Sequence, residues 1–357
     1  MFYFQSFTRA KLEELLISQG SPPQKASYQA KQLFIWVYQR LETRWECMTD
    51  LSKQLRGWLE KNVSLVRLTE QSCQQASDGT RKFLWTLEDG KTVESVILAA
   101  PSSQGTRLTA CISSQVGCAM GCKFCLTGVQ GLDRHLQVHE IVAQVHELRR
   151  KTPITNIVFM GMGEPLQNLE NTIQACDIFL DQNGMRFSKR KITVSTSGIV
   201  PAIASLGKHT AVSLAISLNA TTDEQRSQIM PINRKWNIAK LLEACRNYPL
   251  GSHRRITFEY VLLKDFNDSL EDAQRLIALT RGIPHKINLI AFNPHPGSDF
   301  QRPSEKKVNE FQKYLLNHQQ IATLRISRGR DILAACGQLR SLWGTAKGTE
   351  KHRDYPN

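Results

Sequence analysis

Nowhere in the 357 residues is there an apolar run approaching the ~20 residues that a helix needs to cross a bilayer. The amino terminus, Met1-Phe-Tyr-Phe-Gln-Ser-Phe-Thr-Arg-Ala-Lys11, lacks the continuous apolar core and small-residue cleavage site of a secretory signal. Both absences lead us to expect a cytoplasmic protein with no membrane partner. No internal repeat or low-complexity tract is present, which argues against solenoid and fibrous architectures. Acidic residues are in short supply: 32 Asp and Glu face 46 Lys and Arg, for a net charge of +14. A surplus of this size suits a polyanionic partner such as nucleic acid, although a merely soluble basic protein would show it too. What the chain does have is ordinary globular composition, 41% hydrophobic and 22% charged, and nine cysteines. In a reducing compartment those thiols are metal ligands, catalytic groups or core residues more readily than structural disulfides.

The first 75 residues read as helical. Leu12, Leu15 and Leu16 recur at helix spacing, followed by Tyr28, Leu33, Trp36 and Val37. Ser21-Pro22-Pro23 separates two helices, and Asp50-Leu51-Ser52 offers an N-cap ahead of Leu55 and Leu59. Basic side chains are frequent here (Lys31, Arg40, Arg44, Lys53, Arg56), which fits either an RNA-contacting unit or a solvated helical face. At 82–87 and 93–98 the period changes to two around Glu88-Asp89-Gly90, the pattern of a β-hairpin. Beyond it, β-rich runs at 108–113, 154–160, 191–195, 212–218, 256–262, 286–291 and 323–327 alternate with amphipathic helices. One helix presents Val138, Ile141, Val142, Val145 and Leu148, and another Leu169, Ile173, Cys176 and Leu180. A further helix starts at Ser304 and carries Phe311 and Leu315. The alternation predicts an α/β fold with a parallel sheet and right-handed crossovers. Six or so units are too few for the closed eight-stranded barrel and fit an open, partial one.

The most informative segment is Cys118-Ala-Met-Gly-Cys122-Lys-Phe-Cys125, three thiols within eight residues just after a candidate strand. Gly117 and Gly121 let the loop curl so that the sulfurs can converge. Thiolates are the expected ligands of an iron–sulfur cluster. Three local ligands would leave one iron of a [4Fe–4S] cube open to a substrate. Zinc is the alternative, with Cys111, His135 or His139 as fourth ligand, although zinc modules generally pair C-x-x-C units and only one is present.

C-x-x-x-C-x-x-C with an aromatic before the third cysteine resembles the signature of the radical S-adenosylmethionine superfamily. Further segments follow in order: Ser113-Ser-Gln-Val-Gly-Cys118, Phe159-Met-Gly-Met-Gly-Glu164-Pro165-Leu166, Ser195-Thr-Ser-Gly198, Met230-Pro-Ile-Asn233, Lys286-Ile-Asn-Leu-Ile290, Asn293-Pro and Ala334-Ala-Cys336-Gly-Gln-Leu339. Together, over about residues 5 to 343, they are similar to the RlmN-type dual-specificity RNA adenosine methyltransferases. The resemblance implies an open partial (β/α)6 barrel of radical SAM type over 108–343. Before it would stand a helical, RNA-contacting domain over 1–75 and a β-hairpin over 76–107 that serves as linker or extension. After it would come a basic, flexible tail over 344–357.

The resemblance also implies roles. Cys118, Cys122 and Cys125 match the ligands of a [4Fe–4S] cluster whose open iron chelates S-adenosylmethionine. Gly163, Glu164, Ser195, Ser217, Leu218, Asn219 and Asn293 match cofactor contacts. Cys336 matches a methyl-carrying cysteine. Cys111 matches the thiol that releases the RNA adduct by forming a disulfide, and Glu94 the base that removes the ring proton. In such a family one S-adenosylmethionine methylates the cysteine, and a second is cleaved to a radical that activates this methyl group for addition to adenine. The implied substrates are 23S rRNA, at the peptidyl-transferase centre, and tRNA, at the adenosine 3′ of the anticodon. The implied product is 2-methyladenosine, the electron donor a flavodoxin- or ferredoxin-type reductant, and the enzyme a monomer.

From the residues alone Glu94 is a strand carboxylate facing water, and Gly161-Met-Gly163 an incomplete dinucleotide fingerprint. Arg325, Arg328 and Arg330 either grip phosphates or form a solvated strand end. Cys176 reads as core, and Cys47, Cys73 and Cys245 match no functional position. His135 and His139 lack an H-E-x-x-H context for metal. Two rivals remain: a Cfr-type C8 adenosine methyltransferase, from which Val116, Pro165 and Ser197 lean away, and a non-catalytic, zinc-stabilised RNA-binding protein. The segment 99–107 is longer than the resemblance leads us to expect, and the wording after Cys125 varies.

Overall fold

The computed structural model describes residues 1–102, 105–295 and 297–340. Three helices, Arg9–Ser18, Pro23–Phe34 and Lys53–Asn62, form the amino-terminal unit. Pro23 opens its helix at a position where no N–H is needed, and Ser52 caps the third by accepting from Leu55 N. Phe4, Phe34, Tyr38 and Trp45 pack as an aromatic core. Tyr28, which spacing placed with the core, is 63% exposed. The unit docks on the helix Val138–Lys151: Val37 O accepts from His146 Nε2 at 3.0 Å, and Arg149 Nη1 donates to Tyr38 O at 2.9 Å.

The remaining architecture is a ten-stranded sheet whose spatial order follows the chain. Its strands are β1 (Thr69–Gln75), β2 (Arg81–Thr86), β3 (Thr92–Ser102), β4 (Gly105–Cys111), β5 (Asn156–Phe159), β6 (Ile192–Thr196), β7 (Ser213–Ser217), β8 (Ile256–Leu262), β9 (His285–Ala291) and β10 (Ala322–Leu324). From β4 to β10 neighbours are parallel, and β1 to β4 pair antiparallel. The parallel strands are joined through helices, including Leu169–Leu180, Val200–His209, Ile238–Arg246, Leu270–Thr280 and Glu305–Asn317. Because β1 and β10 do not pair, the sheet is open, as the count of units predicts.

Three expectations are corrected. Residues 69–75 are not helical but form the edge strand β1. Every one of them is exposed, so no apolar alternation marked them. Of the two readings for the hairpin, linker or extension, the strands follow the second: β1 to β3 extend the sheet itself, and a boundary at 107 falls inside β4. The final strand is short, Ala322–Leu324 rather than 323–327. The long segment after Glu94 is a strand pair, with Leu98 opposite Thr109 and Ser102 opposite Gly105. The tail over 344–357 lies outside the described residues.

Side-chain alternation sorts the parallel strands into two faces. Ile157, Val194, Leu214, Phe258 and Leu289 are buried in the apolar core. Val158, Ser195, Ser217, Glu259 and Ile290 face the concave side and line cavities. A closed barrel of this kind fills its interior with apolar side chains. Here the concave side is hollow, and polar side chains such as Ser195, Ser217 and Glu259 share it with apolar ones.

Candidate active site

The three-cysteine loop is shaped by glycine. Gly117 has φ +77°, and a Cβ there would lie 2.0 Å from Gly131 O. The resulting close approach lets Cys118 N donate to Gly131 O at 2.7 Å. At the far end, Leu126 N donates to Gly337 O at 2.7 Å, which ties this loop to the segment bearing Cys336. The three thiols sense one another. Burial pushes each upward, Cys118 to about 12, and neighbouring cysteines push Cys118 and Cys122 further. Backbone N–H groups work the other way, Met120 on Cys118 and Thr127 and Gly128 on Cys125.

All three line a chamber of about 160 Å³ at the carboxyl ends of the parallel strands. Gly163, Glu164, Ser195, Ser217, Asn219 and Asn293 line it too, so strand-end residues distant in sequence share one wall. Gly163, at φ +101°, packs so tightly on Gln115 that a Cβ would come within 2.6 Å. Glu164 is buried, and its carboxylate accepts from Ser197 N at 2.7 Å and Leu166 N at 3.0 Å. Burial raises its carboxyl pKa and these donors oppose the rise. Asn219 adopts φ +58° and spends its amide on Val261 N and Met230 Sδ. Leu218 does not line this chamber; it is buried, and its carbonyl accepts from Arg226.

A second cavity, about 680 Å³, runs along the concave face from the amino ends of the strands. Cys336, Met160, Glu259, Ile290, Asn293 and Arg325 line both cavities and mark their junction. Cys111 lines the second. Burial pushes its thiol up to about 12; Cys336 adds to this and Arg325 opposes it, so both stand beside it. Arg325 is raised chiefly by Cys336, with Glu259 and Cys111 contributing. Exposed Arg107, Arg190, Arg255 and Lys286 line the same cavity, and Arg328 joins them. None of these five is in an ion pair among the described residues. Arg330 lines a separate recess with Asp78 and Asp331.

Glu94 lines neither cavity. Rather than facing water it is buried, with Lys82 Nζ 3.1 Å from Oε1 and Arg340 N donating to Oε2 at 2.8 Å. It stands behind the segment 329–340 that carries Cys336. Burial lifts its carboxyl pKa, and Lys82 and Arg340 oppose the rise. Asp78, Ser77 and Lys82 hold the same segment through Gly329 N, Asp331 and Leu333 O. His135 bonds Gln115, and His139 stacks on Tyr3.

Two residues escaped sequence reading. Arg226 is fully buried and donates to the carbonyls of Ser197, Ser217 and Leu218 and to Asn233 Oδ1. Glu259 is the lone charged residue in β8, among mostly apolar neighbours. That interruption was the signal available, because burying a charge without a reason is costly.

Among the described residues no three of His, Cys, Asp and Glu converge to hold one ion. A cube asks for something else, one thiolate for each of several irons around a shared chamber. One buried chamber atom, Asn293 Oδ1, has no hydrogen-bond partner among the described residues, as expected of a group awaiting a polar ligand. The residues therefore fit a [4Fe–4S] cluster and S-adenosylmethionine.

Comparison with known proteins agrees. Residues 112–277 match the radical SAM superfamily, and residues 4–65 match the ribosomal RNA large subunit methyltransferase N-terminal domain. The chain is 52% identical over 330 residues to the dual-specificity RNA methyltransferase RlmN of Geobacter sulfurreducens, covering 92% of this chain and 89% of that one. It is 50% identical over 336 residues to the protein of the same name from Geotalea uraniireducens, covering 94% and 96%. The crystal structure of a radical SAM methyltransferase from Sphaerobacter thermophilus superposes with a TM-score of 0.88 at 44% identity, covering 95% of this chain and 99% of that one. Hollow basic lumen, three-thiol chamber and close relatives lead to one assignment: the chain belongs to the RlmN family of dual-specificity RNA methyltransferases, enzymes of the radical SAM superfamily that use a [4Fe–4S] cluster and S-adenosylmethionine.

Proposed function

We propose that this enzyme methylates C2 of adenosine in 23S rRNA, at the peptidyl-transferase centre, and in tRNA, 3′ of the anticodon. One observation carries the reading: Cys336 lies at the junction of two cavities, thiols suited to a cluster on one side and a basic lumen on the other. When bound, the cluster and S-adenosylmethionine supply a methyl group and a carbon-centred radical.

Cys118, Cys122 and Cys125 hold the cluster. Gly163, Glu164, Ser195, the Ser217–Asn219 turn and Asn293 hold the S-adenosylmethionine. Cys336 carries the methyl group, because an adenine ring carbon is too weak a nucleophile to take it directly. In this reading Glu94, held by Lys82 and Arg340 N behind the Cys336 segment, is the base for the ring proton. Cys111 ends the cycle. Its sulfur bonds to the Cys336 sulfur, the S–CH₂ bond breaks, and the electron pair leaves on carbon and takes a proton. The disulfide then requires reduction, and the reading includes a flavodoxin- or ferredoxin-class donor and a monomeric, cytoplasmic enzyme. No helix among the described residues is long and apolar enough to cross a membrane. The unpaired Arg107, Arg190, Arg255, Lys286 and Arg328 supply the sequence-independent grip on phosphate that RNA requires.

Anaerobic turnover with RNA, followed by nucleoside mass spectrometry against both methyladenosine standards, tests the reading. We expect 2-methyladenosine; 8-methyladenosine alone would overturn it in favour of the C8 enzyme.

A further inference from the structure

We propose that Glu259 reads the target base: it takes the Watson–Crick edge of adenine, one oxygen accepting from the 6-amino group and its hydroxyl donating to N1. The inference rests on adenosine being the substrate.

Glu259 lies on the concave face of β8, pairs in register with Ser217 on one side and Asn288 on the other, and lines both cavities where they meet at Cys336. Its Oε1 accepts from Asn288 Nδ2 at 3.0 Å, which fixes the plane of the carboxyl group. Its Oε2 is buried and has no hydrogen-bond partner among the described residues. A buried carboxyl oxygen left open at the seam between cofactor chamber and substrate lumen is a strong recognition element, because a ligand that fails to satisfy it leaves it stranded. The positive charges facing it are Arg325 and Lys286, and neither forms an ion pair with it among the described residues.

The chemistry of the adenine edge selects the occupant. The 6-amino group is a donor and the adjacent N1 an acceptor, so a neutral carboxyl complements both at once. Burial raises the Glu259 pKa, in the direction of that neutral form, while Arg325, Asn288 and Lys286 pull the other way. Donation to N1 has a second effect. It draws electron density from the neighbouring ring carbon, C2, and so prepares that carbon for attack by an electron-rich carbon radical. A residue that merely supported the strand would do neither.

The test uses the full-length, cluster-loaded protein and short RNA hairpins. At the target position they carry adenosine, purine riboside (no 6-amino group) or 1-deazaadenosine (no N1). Binding is read by fluorescence anisotropy. Wild type is expected to prefer adenosine over each analogue by roughly 5- to 150-fold, the range of a good base-reading contact. Glu259→Gln should keep the preference, since an amide offers the same acceptor and donor; Glu259→Ala should bring the ratio close to one. Equal binding of all three hairpins by wild type would overturn the inference, as would an alanine variant that still discriminates. Loss of S-adenosylmethionine affinity by calorimetry in Glu259→Ala, with RNA preference intact, would assign the residue to the cofactor instead and also overturn it. Failure of the underlying reading looks different: wild type would then leave adenosine RNA without 2-methyladenosine, whatever its binding preference.

Discussion

The two cavities that meet at Cys336 are built on opposite plans. The chamber, about 160 Å³, is made by a tight loop of three cysteines and by backbone held so closely that glycine is required at 117 and 163. The lumen, about 680 Å³, is made by single side chains from most of the parallel strands and rimmed by unpaired cations. The chamber suits a ligand of fixed shape, whose holder can be rigid before it arrives. The lumen suits a substrate that is large, anionic and mostly outside. Its walls mix polar and apolar side chains, and its charges stand where a phosphate backbone can reach them. The contrast separates what must be held in place from what must come and go.

Breaking the chamber should have the largest effect. Cys122→Ala should remove the cluster and all detectable product, measured as iron and sulfide content, visible absorbance and methyladenosine yield; a brown, active variant would refute the ligand assignment. The next test addresses the junction. Cys111→Ala should still join Cys336 to RNA but fail to release it, so a protein–RNA adduct accumulates on denaturing gels under anaerobic turnover. Clean product release would remove Cys111 from its assigned role. Arg226 tests how far the chamber depends on its buried support. Arg226→Met strands the carbonyls of Ser197, Ser217 and Leu218. It should cost roughly 2–4 kcal/mol in urea unfolding of the cluster-free protein. A loss below ~0.5 kcal/mol, the scale of an ordinary surface change, would mean that the three turns hold themselves. The smallest effect belongs to the lumen rim. Arg255→Gln with Lys286→Gln should weaken RNA binding modestly, lower the salt dependence by about one unit per cation lost, and leave S-adenosylmethionine affinity unchanged. An unaltered salt slope would place the RNA elsewhere.

The same contrast explains what could be read in the sequence. The parallel strands were legible because their buried faces repeat Ile, Val, Leu and Phe at period two; the 256–262 reading matches β8 at both ends. The cysteine loop was legible because its three sulfurs lie within eight residues. Edge strand β1 was not, since Thr69-Glu-Gln-Ser-Cys-Gln-Gln75 has no apolar face and is ordered by its pairing with β2. The lumen was hidden for a related reason. Thr193, Ser213, Thr257 and Asn288 are unremarkable in their own strands and form a wall only after seven parallel strands align. Glu94 shows a third limit. Local pattern placed it on a strand, but its partner Arg340 lies 246 residues away, beyond the reach of any local pattern.

That pairing bears on the order of assembly. Ser77, Asp78, Lys82 and Glu94 fasten the Cys336 segment across separations of 246 to 254 residues. Contacts of such range form late, after the sheet between them has been built. On the ribosome the loop of Cys118, Cys122 and Cys125 emerges far ahead of Cys336. With the roles proposed above, a nascent chain gathers its iron ligands before the methyl-carrying cysteine exists. The antiparallel strands would then act as a latch on maturation: until the last segment docks on the first strands, the cluster ligands are together and the thiol proposed to carry the methyl group is not yet in place.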